Sequence, residues 1–227
     1  MNIRFTLALL IFFVQPIIAQ NAIEYPVKVG EIPSQVLPNE AMYVSPVFKK
    51  GIVFLKDGTA TNMMLNYNFL LDEMHFIGNN NDTLAIAEPV LIKYAVIDSM
   101  EFLFDKGYLT VLFTTGKYKL ALRQQMIQLP DKTRSGYNIA TGSSSITTYG
   151  FIGSRSQIYH LEVKKDVFFM QGKSYYVGAA TGPFVKANKK GFYFLFEGKN
   201  ISQFVKEHHV NFNKQEDLKA LLQFCVE

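Results

Sequence analysis

The stretch "TNMMLNYNF" constrains the fold most, because Met63, Leu65, Tyr67 and Phe69 alternate in it with Asn62, Met64, Asn66 and Asn68. Successive side chains of a strand point to opposite faces, so period two over this length predicts a half-buried β-strand. Asp57-Gly58, just ahead of it, is a hairpin turn signal that joins it to the preceding run "GIVFL". Downstream, "EMHFI", "TLAIA", "KYAVI", "EFLF", "YLTVLFTTG" and "KYKLALRQQMI" repeat the theme of short apolar runs punctuated by Gly, Asp or Asn. Later come "HLEVKKDVFFM", an expected turn at "QGK", and "SYYVGA". Evenly spaced short strands without long helical patterns between them predict a mainly β fold: an antiparallel meander forming a sandwich or partial barrel.

The C-terminal end changes period. Ile201, Phe204, Val205 and His208 fall at i, i+3, i+4 and i+7, which gathers them on one helical face. In "NKQEDLKALLQFCVE", Leu218, Leu221, Leu222 and Cys225 form a second apolar stripe, and Asn213 followed by Glu216 has capping-box spacing. Two short helices are therefore expected to pack on the sheet as a cap over residues 200–225, while "NKKGFYFLF" (188–196) reads equally as helix or strand.

The opening "MNIRFTLALLIFFVQPIIA" has one positive charge, an apolar run and a small residue at Ala19, the layout of a secretory signal peptide over residues 1–19. Removing these nineteen residues, which include one arginine, leaves 208 of the 227, with 22 basic against 19 acidic side chains. Elsewhere no run approaches the roughly 20 apolar residues of a membrane helix, so a soluble, exported chain with no transmembrane segment is expected, periplasmic or extracellular. With Cys225 as the single cysteine an internal disulfide is impossible, and stability must come from the core. The four prolines between Asn21 and Val47 suggest an extended N-terminal arm over residues 20–50, followed by one β-rich domain over 51–227. Within that domain, residues 131–157 are rich in Ser, Thr and Gly and poor in large aliphatics, the composition of a flexible loop.

The residue types that carry chemistry are few. Glu73 and His75 share a strand face, and Asp72 precedes them; an i, i+2 carboxylate and imidazole could hold a transition metal if further ligands converged. His160, His208 and His209 lie far along the chain without ligand spacing, so Glu73 and His75 read as a solvated strand face and remain the only, weak metal candidates. Asn79 to Asp82 reads as a turn, since Asn and Asp bond nearby backbone and tolerate left-handed geometry, and the EF-hand calcium spacing is missing. No Gly-x-Ser-x-Gly, Ser-x-x-Lys, His-Glu-x-x-His or phosphate-cradling glycine loop occurs, and Cys225 falls on a core stripe. Neither a catalytic residue nor a cofactor is assigned. The mild charge, with lysine pairs only at 49–50, 164–165 and 189–190, gives no basic patch of the kind that binds nucleic acid. Twenty phenylalanines and twelve tyrosines supply a core, and on the concave side of a half-barrel they could also line an apolar-ligand site.

The runs "KKGIVFLKDGT", "LNYNFLLDEMHFI" and "DTLAIA", with the ending "ISQFVKEHHVNFNKQEDLKALLQF", resemble a group of uncharacterised exported β-rich proteins of Gram-negative bacteria. Its members similarly pair a meander carrying an "LNYN"-type strand with a short helical tail ending in "EDL". The resemblance spans most of the chain after residue 19 and implies export and a β fold. It brings no assigned activity or ligand residues. The expected role is that of a non-enzymatic binding or interaction protein of the bacterial cell envelope, its partner another envelope protein or an apolar ligand. The alternatives are a periplasmic carrier of a lipid or other apolar ligand, and a hydrolase using dispersed carboxylates.

Overall fold

The computed structural model describes residues 23–129, 162–180 and 182–227. The expected signal peptide and the expected loop over 131–157 lie outside them. Among the described residues eleven strands form one antiparallel sheet with short helices packed on it, and the sheet does not close into a barrel. The strands are β1 (Glu24–Val27), β2 (Lys49–Leu55), β3 (Ala60–Asn68), β4 (Glu73–Ile77), β5 (Thr83–Ala85), β6 (Ile92–Ile97), β7 (Met100–Phe104), β8 (Tyr108–Thr115), β9 (Tyr118–Leu129), β10 (Val167–Ala179) and β11 (Val185–Lys186). Their spatial order is β1-β10-β9-β8-β7-β6-β2-β3-β4-β5, and β11 pairs with the far half of β10. Two runs of hairpins thus spread from the β2–β6 pair, as the meander pattern predicts.

The hairpin turns obey their local chemistry. Gly58 adopts φ 95° in the β2–β3 turn, and the Thr59 amide donates to the Asp57 carboxylate at 2.8 Å. Asn81, with φ 61°, turns β4 into β5. The expected "QGK" turn is a correction. Residues 171–173 run straight through the middle of β10, because β9 offers an unbroken ladder from Tyr118 to Leu129 and every residue of the ribbon finds a partner. Gly172 is there for space: a Cβ would collide with the Ile127 side chain.

The sheet curls. Register shifts at Phe54/Leu55 and at Val111/Phe113 add local twist. The β3–β4 turn then reaches over the concave side, where the Met126 amide donates to the Phe69 carbonyl at 3.0 Å and the Tyr67 hydroxyl to the Gln124 carbonyl at 3.2 Å. Since β3 and β9 are separated by four strands in the sheet, these bonds give the half-barrel a seam. Tyr67, Phe102, Tyr108, Phe169, Leu65 and Met74 fill the space inside it, fully buried. Each such side chain contributes roughly 1.5–3 kcal/mol.

The segment ahead of β2 is more structured than an extended arm. From residue 23 it comprises edge strand β1 and two single-turn helices, α1 (Pro33–Val36) and α2 (Asn39–Met42). Pro33 occupies the first helical position and Pro38 the N-cap, where a missing N–H costs nothing.

A second core lies at the other end of the β9–β10 ribbon. Even residues of β9 and odd residues of β10 share a face; Met126, Val167 and Phe169 spend it on the half-barrel, Leu120 and Val177 on the C-terminal helices. Strand twist lets one face serve both. The helices are α3 (Lys189–Leu195), α4 (Ile201–Glu207) and α5 (Gln215–Val226), so "NKKGFYFLF" is mainly helical. Asn188 and Asn200 cap α3 and α4 by accepting from the amides of Gly191 and Gln203. Leu218, Leu221, Leu222 and Cys225 are buried as the stripe predicts. The capping box is not formed: Lys214 is the N-cap without a side-chain bond, and Asp217 instead accepts from the Asn211 amide at 2.7 Å. No helix among the described residues is long and apolar enough to cross a membrane.

Candidate functional site

The β3–β4 turn concentrates the chain's half-buried polar chemistry. Asp72 sits at its apex with φ 57°, a left-handed conformation that Asp adopts more readily than most residues. Its carboxylate accepts from the Tyr67 hydroxyl (2.6 Å), the Tyr108 amide (3.0 Å) and the Gln125 side-chain amide (3.3 Å). Asn68 closes the turn by accepting from the amides of Leu70 and Leu71, both at 2.9 Å. On the neighbouring position of that same strand face, Asn66 exchanges bonds with Ser45, accepting from its amide at 3.3 Å and donating to its carbonyl at 2.8 Å.

Beyond the turn, Glu73 and His75 do share a face of β4, as period two requires. Their environment departs from the expected solvated face: His75 is only 7% exposed. Its Nε2 lies 3.0 Å from Glu73 Oε2 and its Nδ1 2.9 Å from the Tyr43 hydroxyl, with the two rings edge-on. Tyr43 closes the C-terminus of α2 and bridges to Asn68, which places it over the imidazole. The expectation fails because alternation assigns Glu73, His75, Asn66 and Asn68 to the outer side without revealing that residues 43–47 cover them.

This geometry defines what the cluster can do. When the Tyr43 hydroxyl donates to Nδ1, the imidazole carries its proton on Nε2 and donates it to Glu73, completing a chain from phenol to carboxylate. Burial raises the Tyr43 pKa, the Asn68 side chain partly offsets that, and the Glu73 charge adds to the rise. Tyr43 is therefore held as a neutral phenol, the opposite of an activated nucleophile. Burial, with Asp72 and Glu73 nearby, raises Tyr108 further still. The Asp72 carboxylate is committed to Tyr67, Tyr108 and Gln125, so Asp72, Glu73 and His75 do not converge on a common point. Among the described residues no three His, Cys, Asp or Glu side chains are grouped to hold a metal ion.

No protein-family model, curated protein or solved structure matches the chain. The arrangement must be read from its own chemistry, and that chemistry is a brace: Tyr43–His75–Glu73 ties α2 to β4, and Asp72 ties the turn to β8 and β9. The other residues singled out by type are scattered. Asn79 and Asn80 are exposed turn residues, while the Asp82 carbonyl accepts from the Gly78 amide at 2.8 Å. His208 and His209 end α4 on the surface. His160 lies outside the described residues. Cys225 is buried in the helical core, where burial pushes its thiol up to about 11. Tyr43, Asn66, Asn68 and Gln125 belong to the cluster but carry no sequence signal beyond their polarity.

Proposed function

We propose that the chain is an exported, non-enzymatic binding protein of the bacterial cell envelope, which acts through its outer surface. The observation that carries this reading is the filled half-barrel, whose concave side is occupied by Tyr67, Phe102, Tyr108 and Phe169. A carrier needs an apolar cavity of several hundred Å³ that encloses its ligand. Two depressions in the described surface, about 620 Å³ beside α4 and about 570 Å³ over β2 and β3, are both open to solvent. A hydrolase needs carboxylates free to act on substrate, whereas Asp72 and Glu73 are bonded within the fold. Binding is supported instead by the apolar side chains left on the surface, including Ile23, Val29, Val47 and Phe194. Cross-linking in intact cells followed by fractionation tests the reading. The expected product is a covalent complex with another envelope component; a chain retained in the cytosol, or one that hydrolyses a panel of ester and glycoside substrates, contradicts it.

A further inference from the structure

The most exposed large apolar side chain among the described residues, Phe194 at 69%, stands on α3 beside Tyr193 at 41%. Residues 190, 193 and 194 are spaced i, i+3 and i+4, so Lys190, Tyr193 and Phe194 form one solvent-facing stripe on α3 opposite the buried Phe192. The Tyr193 hydroxyl lies 2.5 Å from Ser202 Oγ, which joins this stripe to the exposed side of α4 and to the open depression containing Ser202, Lys206 and His209. Around the aromatic pair, Lys186, Lys189, Lys190 and Lys206 are exposed and none is ion-paired among the described residues. From residue 186 to 214 the chain has six lysines against two glutamates and no arginine. The two glutamates, Glu197 and Glu207, offset the lysines only in part, leaving 6 − 2 = +4 over these residues.

We propose that this face of α3 and α4 docks the protein on an anionic lipid surface, with Phe194 and Tyr193 entering the headgroup layer and the lysines meeting lipid phosphates. The inference rests on the envelope location proposed above and names one partner of the surface described there. Its chemistry separates it from a protein-docking site. Protein interfaces favour Arg and are depleted in Lys, whereas flexible ammonium stems snorkel readily among headgroups and gain attraction from each anionic lipid nearby. Tyrosine suits the same layer, having an apolar ring and a polar tip. With only two aromatic side chains available for insertion, binding is peripheral and reversible.

Vesicle flotation of the purified protein tests this, using phosphatidylcholine with and without phosphatidylglycerol. The expected result is flotation only with phosphatidylglycerol, lost at high salt. Phe194→Ser, and separately the pair Lys189→Glu and Lys190→Glu, should each reduce the bound fraction about tenfold or more at unchanged melting temperature. A wild-type protein that stays unbound, or variants that float as well as wild type, overturns the proposal. A photo-reactive phenylalanine analogue at position 194, activated in intact cells, separates this proposal from the broader reading. A lipid adduct supports docking on the membrane; an adduct to a protein overturns it while leaving an envelope-binding role standing; the absence of any envelope adduct counts against both.

Discussion

His75 Nδ1 lies 2.9 Å from the Tyr43 hydroxyl, a contact that fastens a single-turn helix ahead of β2 to the fourth strand of the sheet. The bond is half-buried and local to no element, so it reports on tertiary structure alone. Removing one partner strands the other. His75→Ala should therefore cost about 1–3 kcal/mol, well beyond a surface change. Tyr43→Phe should cost less, and the two should be non-additive, with a coupling of roughly 0.5–3 kcal/mol in denaturant unfolding. Additive losses would show that the two side chains do not interact in solution.

Alkaline stability should fall in two stages. Burial raises the Cys225 thiol from 9.0 to about 11, Lys199 pulling the other way, so the fold disfavours the thiolate. A raised folded-state pKa means stability is complete below the unfolded value and is lost as pH rises toward the folded one. The Cys225 contribution is thus intact below pH 9 and lost between 9 and about 11. Tyr43 and Tyr108, both raised from 10.0 mainly by burial, add a further loss that begins near pH 10. Melting temperatures of the wild type and of Cys225→Ala across this range check the order: the variant should decline only in the second stage.

At the start of α5 the two candidate caps separate cleanly. Asp217→Ala removes the acceptor of the Asn211 amide and should cost about 0.5–2 kcal/mol, while Asn213→Ala, which lacks a capping contact, should be nearly silent. Leu221→Ala, at a fully buried position in the same helix, should cost about 2–5 kcal/mol. Chemical denaturation of the three variants ranks them. Equal losses for Asn213 and Asp217 would contradict the observed bond from the Asn211 amide to Asp217.

Two glycines are crowded for different reasons. At Gly191 a Cβ would strike the Lys186 carbonyl oxygen, which belongs to backbone; at Gly172 it would strike the flexible end of Ile127. Gly191→Ala should accordingly lose about 1–3 kcal/mol, and Gly172→Ala less, because Ile127 can rotate away. Thermal unfolding that reversed this order would place the strain elsewhere.

The parts of the fold visible in the sequence are those written in local periodicity. Met63, Leu65 and Tyr67 announced β3, the Leu218–Leu221–Leu222 stripe announced α5, and Asp57-Gly58 announced its turn. What escaped depends on distant partners. Gln171-Gly172-Lys173 looks like a turn until the length of β9 is known. Asn66 and Asn68 look like solvated residues until Ser45 and the turn amides claim them. Tyr43 has no local signal at all, since its role arises from a contact made thirty-two residues later. Glu73 and His75 were legible as a pair but not as part of a brace, because spacing gives a face and not what covers it.

The central claim, that the half-barrel is filled and binding belongs to the outer surface, is tested most directly by native mass spectrometry of the protein purified without detergent from the cells that make it. The predicted spectrum contains the chain alone or bound to a protein partner. A stoichiometric apolar ligand that survives purification, and leaves only when the protein is unfolded, would contradict the claim and make the chain a carrier.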